Sequence, residues 1–278
     1  ISAGNKILEK KYAAIRHLSI NATRWLNLGL FEAVVFGRKN KFELSYLNPI
    51  IFLRGAEQQN GSADNAIIGF DFKANAGHQG QVYGQFVLDE FVLKEIRAGN
   101  GWWGNKFGIQ LGTKYIDAFE VKNLDLQFEA NVARPFTYSH FDSVANYTHY
   151  NQPLAHPLGA NFAEGIGIIT YQPKPKWTVQ ARIILFRQGL DSTNSNFGGN
   201  IFLPNSTRNG DYGYKVGGGI KATGFNTLGL VSYEWKENLF LEGSLMFRHY
   251  KTALTSADNS LMITAGIRLN VFRREYDY

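Results

Sequence analysis

The chain has 278 residues, 44% hydrophobic and 14% aromatic, with 29 glycines against 7 prolines and no cysteine. That content suits one large β domain or two small ones and excludes a disulfide framework. The formal charge is +6, but lysine and arginine are spread along the whole length, where a nucleic-acid partner would want a basic stripe on one face. No apolar run reaches the ~18 residues of a transmembrane helix, although barrel strands of ~10 residues, apolar only at every second position, remain open.

Residues 1–11 are polar and basic and predict little. The chain opens on Ile1 with no basic, apolar and small-residue leader pattern after it, so either a leader was removed or a longer chain precedes it. From His17 the pattern has period two: Leu18, Ile20 and Ala22 oppose Ser19, Asn21 and Thr23, as far as Trp25. Asn27-Leu28-Gly29 predicts a turn, with 30–36 as its hairpin partner. After Phe42, Pro49 removes a ladder donor and predicts a bend or short helix, followed by a polar loop over 54–64.

Strands are then expected at 66–74, 79–88, 105–115 and 124–133. In the third, Phe107, Ile109, Leu111 and Tyr115 oppose Lys106, Gly108, Gln110, Gly112 and Lys114; in the fourth, Leu124 to Val132 oppose Asp125, Gln127, Glu129 and Asn131. The stretch 134–161 breaks the alternation. It is polar, aromatic and histidine-rich, so it reads as an irregular loop held by a scaffold, folded into or over the lumen of a barrel. Beyond it come strands at 162–171 and 177–187 across a turn at 172–176, a polar loop over 188–213, a Gly-rich stretch at 215–224, and closing strands at 227–235, 239–250 and 261–272.

Long strands with one apolar face, a polar face carrying Arg182, Arg248 and Arg268, and tight turns alternating with long loops describe an all-β transmembrane antiparallel barrel. Trp25, Tyr115, Tyr171, Trp177, Tyr233, Trp235 and Tyr250 gather near strand ends, as interfacial girdles would. Phe272, Tyr276 and Tyr278 give an aromatic-terminated ending of the kind seen on last strands of outer-membrane proteins. About eleven strands sit awkwardly with the even number usual in bacterial barrels, so the 278 residues read as a single barrel domain or the C-terminal portion of one.

Certain motifs are also familiar. Tyr46-Leu-Asn-Pro-Ile-Ile-Phe52, Asp64-Asn65-Ala66, Tyr83-Gly-Gln85, Leu88-Asp-Glu-Phe91, Gly101-Trp-Trp-Gly-Asn-Lys106, Arg134-Pro-Phe-Thr-Tyr-Ser-His140 and Tyr150-Asn-Gln-Pro-Leu-Ala-His-Pro-Leu-Gly-Ala-Asn161 occur in that order. Together, over about residues 15–272, the chain resembles the Wzi-like capsule-assembly outer-membrane family, in the branch similar to the gliding-motility protein RemB. The resemblance implies a barrel of about eighteen strands, within the usual range, in the outer membrane of a two-membrane bacterium. It also implies a role in attaching surface polysaccharide or in surface motility. The partners to expect are outer-membrane lipid, surface polysaccharide, and other outer-membrane, motility or secretion proteins.

Trp102 and Trp103, flanked by Gly101 and Gly104, can offer an apolar face to a sugar ring, although tryptophan is enriched at membrane boundaries in any case. Arg134, Tyr138, His140, His149, Tyr150 and His156 add hydrogen-bonding groups and complete the candidate ligand-binding set. His140, His149 and His156 with Asp142 match no compact zinc spacing, and neither a metal nor a cofactor is expected. Ser139, His140 and Asp142 are chain neighbours without triad geometry; no Gly-x-Ser-x-Gly elbow or phosphate loop occurs, and the expectation is a non-enzymatic barrel. A docking subunit of a larger outer-membrane complex and a porin-like channel are the alternatives.

Overall fold

The computed structural model describes residues 10–37, 44–47 and 64–271. In chain order the elements are β1 (Tyr12–Asn21), β2 (Leu26–Phe36), β3 (Asn65–Ala76), β4 (Gly80–Glu90), the short helix α1 (Leu93–Ala98), β5 (Lys106–Tyr115) and β6 (Leu124–Ala133). They continue with β7 (Thr148–His149), β8 (Gln152–Pro153), β9 (Phe162–Lys174), β10 (Trp177–Leu190), β11 (Ile220–Lys236), β12 (Leu239–Thr252) and β13 (Asp258–Leu269). β7 and β8 pair only with each other; the other eleven form one antiparallel sheet in the order β1-β2-β3-β4-β5-β6-β9-β10-β11-β12-β13.

The register sorts every side chain to one of two faces. Gln85, Gln110, Asn131, Glu164 and Phe186 lie in line across β4, β5, β6, β9 and β10, while Leu111, Ala130, Gly165 and Leu185 lie in line on the opposite face. On the first face, polar groups satisfy one another: Tyr83 donates to Glu129 at 2.8 Å, Asn131 donates to Glu129 at 2.9 Å and Glu164 at 3.1 Å, and Arg268 pairs with Glu242 at 2.8 Å. The second face is apolar and uncovered, with Leu111 53%, Leu185 54% and Ile263 72% exposed. Apolar surface so extensive on strands this long is stable only against lipid, so this is the outer face and the polar one lines the interior.

The connections differ between the two ends of the sheet. Residues 22–25, 77–79, 116–123, 175–176 and 237–238 turn at one end, while the long stretches 91–105, 134–161 and 191–219 and the short turn 253–257 lie at the other. Trp25, Tyr115, Tyr171, Trp177, Tyr233 and Trp235 all lie at the short-turn end, where Trp177 and Tyr233 pack at 4.7 Å. Tyr250 departs from that pattern: it sits near the other end, on the interior face opposite Gly224.

The structure corrects several boundaries. The first turn is 22–25, not 27–29, because Thr23 Oγ1 accepts from the amides of Trp25 and Leu26 and so starts β2 at Leu26. Gly29 lies inside β2, where a Cβ would come within 2.3 Å of Asp71 Oδ2: it serves a close approach, not a turn. Residues 172–174 extend β9, and 220–224, read from the sequence only as part of a Gly-rich stretch ahead of a strand at 227–235, begin β11, because the ladder with β10 runs on from Thr223 to Ile220 opposite Leu190. β13 begins at Asp258, three residues early. The helix α1 escaped the sequence reading because it is six residues long, ended by Gly99 in the left-handed conformation. Expectations for Phe42, 48–63, Phe272, Tyr276 and Tyr278 fall outside the described residues.

The face assignment makes a direct prediction. Ile183→Lys, on the apolar face of β10, is expected to cost about 2–4 kcal/mol in refolding into lipid vesicles. Gln180→Lys, on the interior face of the same strand, should change stability by no more than about 0.5 kcal/mol; urea titration of both variants in vesicles measures the difference.

Candidate functional site

The long connections hold one another at the end they share. In β4 a bulge makes both Asp89 and Glu90 oppose the single residue Lys106 of β5. Lys106 is fully buried, and its Nζ pairs with Asp89 at 3.2 Å and Glu90 at 3.0 Å and donates to Ser139 O at 3.3 Å. The other Asp89 oxygen accepts from the Tyr138 amide at 2.9 Å, so the run 135–140 is pinned over the interior face. Further along, Lys11 Nζ donates to Asn146 and Thr148, tying the same segment to β1; burial pulls this lysine down to about 8.

Asn161 makes the second knot. Its Nδ2 donates to the carbonyls of Gly189, Phe197 and Gly218 at 3.0, 3.2 and 2.9 Å, and its Oδ1 accepts from the Gly217 amide at 2.8 Å. One fully buried amide thereby joins the start of β9, the end of β10 and both ends of 191–219. Backbone bonds complete the weave: Phe136 N to Gly198 O, Asn205 N to His140 O, Trp103 N to Asp211 O and Tyr214 N to Gly101 O.

Between this cap and the interior wall lies a cavity of about 270 Å³. The wall contributes Gln85, Gln110 and Asn131; the cap contributes Tyr138, Tyr147 and His156. Tyr138 and Tyr147 stack at 5.9 Å, and His156 stacks on Phe162 at 4.3 Å while its Nε2 meets Glu164 at 2.9 Å. Neutral amides facing aromatic rings suit a ligand with hydroxyls on its edges and C–H groups on its faces. Gln85, Gln110, Asn131 and Tyr147 were absent from the candidate set. The three amides were signalled only as polar residues at inward positions of consecutive strands, which converge once the register is known, whereas Tyr147 lies in the irregular stretch itself.

The eight candidates do not form one site. Tyr138 and His156 line the cavity. Trp102 and Arg134 line a separate hollow at the rim, where Arg134 Nη2 donates to Trp102 O at 3.2 Å and burial holds the guanidinium below its ordinary value. The indoles of Trp102 and Trp103 are tilted by 54° and share no plane; Trp103 lies between the Arg208 guanidinium, 3.9 Å from its ring, and the edge of Phe136. His149 and Tyr150 sit at the exposed tip of the β7–β8 hairpin, Tyr150 being 89% exposed.

His140 is buried beside Phe141, its Nδ1 accepting from the Asp142 amide at 3.2 Å. Burial first, and then the nearby Lys106 cation, hold its pKa below the ordinary value. Ser139 Oγ donates to Phe136 O, which turns it away from the histidine. Among the described residues no three histidine or acidic side chains gather in a metal-binding geometry.

An antiparallel sheet with a polar interior face, an apolar exterior one, an aromatic band and long connections woven at one end has the fold of an outer-membrane β-barrel. Among solved structures, the chain is similar to one described as Wzi, an outer membrane protein involved in group 1 capsule assembly in Escherichia coli and a carbohydrate binding β-barrel. That likeness has a TM-score of 0.63 at 15% identity and covers 93% of this chain and 52% of the other, so the chain spans about half the length of the Wzi structure. A NanC porin structure aligns over 95% of both chains at 10% identity with a TM-score of 0.35, too slight a likeness to argue from. No protein-family description and no curated protein matches the sequence.

Two predictions follow from the weave. Asn161→Ala strands buried carbonyls at about 1–3 kcal/mol each, and hydrogen exchange should show 134–161 and 191–219 losing protection together while β3 to β6 keep theirs. For His140 the folded pKa lies below the undocked one of ~6.5. Its contribution to docking is therefore complete above that value and declines as pH falls through the window beneath it. Protection factors across 139–149, in which the intrinsic base-catalysed slowing of exchange is divided out, should fall as pH drops below about 6.5, and His140→Gln should flatten the response.

Proposed function

We propose that the chain forms wall and cap of an outer-membrane barrel that binds saccharide chains at the cell surface without catalysing a reaction, and so helps attach or assemble a surface polysaccharide. The observation that carries this reading is the cavity between the interior wall and 134–161, where wall amides face stacked tyrosines. An apolar exterior face and an aromatic band at the short-turn end support the outer-membrane placement, with the woven end outward, since short turns are periplasmic in such barrels. The carbohydrate-binding description of the Wzi structure supports the ligand class. On this reading the 278 residues belong to a larger barrel of about eighteen strands, within the known range, and 134–161 lies over its lumen.

Within the cavity Tyr138 and Tyr147 offer ring faces, and Gln85, Gln110, Asn131 and His156 supply hydrogen bonds. Gln85→Ala and Asn131→Ala are each expected to weaken oligosaccharide binding by about 1 kcal/mol, or roughly fivefold, as read by titration calorimetry on detergent-purified protein. Absence of saccharide binding from a folded protein that co-purifies in fixed ratio with other outer-membrane proteins would make it a docking component, including one serving surface motility. Steady ion conduction in planar bilayers without saccharide affinity would make it a channel.

A further inference from the structure

The hollow at the rim has a lining unlike that of the cavity beneath the cap. It measures about 320 Å³ and lies between the α1–β5 connection, Arg134, and the stretch from Gly213 to Lys215. Arg134 faces it with its charge unanswered. Among the described residues its guanidinium has no carboxylate within ion-pair distance; Nη2 alone finds an acceptor, Trp102 O, while Nε is buried without a partner. By contrast Arg208 is paired with Asp211 at 2.8 Å and Arg268 with Glu242 at 2.8 Å. The other charged groups of the lining are Lys215 and Glu95, so two cations stand against one carboxylate.

A half-buried cation without a counter-ion is costly to keep. A guanidinium presents a planar fork of donors that matches a carboxylate or phosphate. Phe107, 5.5 Å from Arg134 Cζ, supports the plane from one side. Trp102 and Tyr214 bring aromatic surface to the same hollow, so the lining pairs an anion partner with ring faces that a pyranose can use.

We propose that this rim hollow binds the anionic group, carboxylate or phosphate, of an acidic saccharide, with Arg134 as its forked partner and Lys215 as a second cation. The inference rests on the saccharide-binding reading and adds selectivity for acidic over neutral chains. The test compares a hyaluronan tetrasaccharide, which carries glucuronates, with neutral maltotetraose on detergent-purified protein. The expected result is about tenfold tighter binding of the acidic chain, an advantage that shrinks as salt rises. Arg134→Gln should abolish it, Arg134→Lys should retain part of it, and amide exchange of 134–161 checks that the cap is intact in each variant. If Arg134→Gln disturbs the cap, Lys215→Ala provides a second reading and should reduce the preference severalfold.

Equal binding of the two tetrasaccharides, unchanged in Arg134→Gln, would overturn the inference and leave the saccharide reading standing. Binding of neither would overturn both. Displacement of the hyaluronan fragment by phosphorylated lipopolysaccharide core oligosaccharide, and not by its dephosphorylated form, would support the anion site with the lipid's sugars as its source. Failure of both core forms to displace a fragment that still needs Arg134 would support it with a free polysaccharide as the source.

Discussion

Lys106 is a cation with no exposed surface, and the long-connection end of the molecule is arranged around that fact. A buried ammonium persists only when its charge and its three donors are met, and breaking such a pair costs about 3–5 kcal/mol. A strand position offers one cross-strand neighbour on each adjoining strand, so an unbulged β4 would supply Lys106 with one carboxylate. The bulge at Asp89 supplies two, and the Ser139 carbonyl completes the set. Because Asp89 also takes the Tyr138 amide, the charge pair of the wall orders the first turn of the cap.

From that anchor the remaining contacts follow in sequence. With 135–140 held down, the Phe136 amide reaches Gly198 and the His140 carbonyl receives Asn205, so 191–219 lies on 134–161 rather than away from it. Asn161 then returns the chain to β9 while gathering one carbonyl at the end of β10 and two of the neighbouring connection. The sheet supplies a rigid row of amides; the cap supplies rings; and the space left between them is chemically mixed, unlike either surface alone.

What the sequence discloses and what it hides divide along physical lines. Alternation in β5, β6 and β13 is visible because the environment on each side of a barrel wall is uniform, lipid on one and polar groups on the other, so period two is imposed residue by residue. Turns were misplaced where a glycine such as Gly29 serves packing across strands, which no local pattern signals. Six of the eight candidate residues lie in one irregular stretch, and two of those, Tyr138 and His156, meet in one cavity. Their partners Gln85, Gln110 and Asn131 come from β4, β5 and β6, and only the register brings them together. Asp89, Glu90 and Lys106 likewise look like ordinary strand-end charges until the bulge is seen.

The weave of 91–105, 134–161 and 191–219 bears on the thermodynamics of recognition. Loops that order around a ligand lose conformational entropy at that moment, and affinity falls accordingly. Here the segments are tied by backbone bonds and by the buried Asn161 and Lys106, so that loss has already occurred during folding. On the proposed reading, a saccharide entering beneath Tyr138 and Tyr147 would meet surfaces already at rest, so that weak individual contacts could sum to useful affinity.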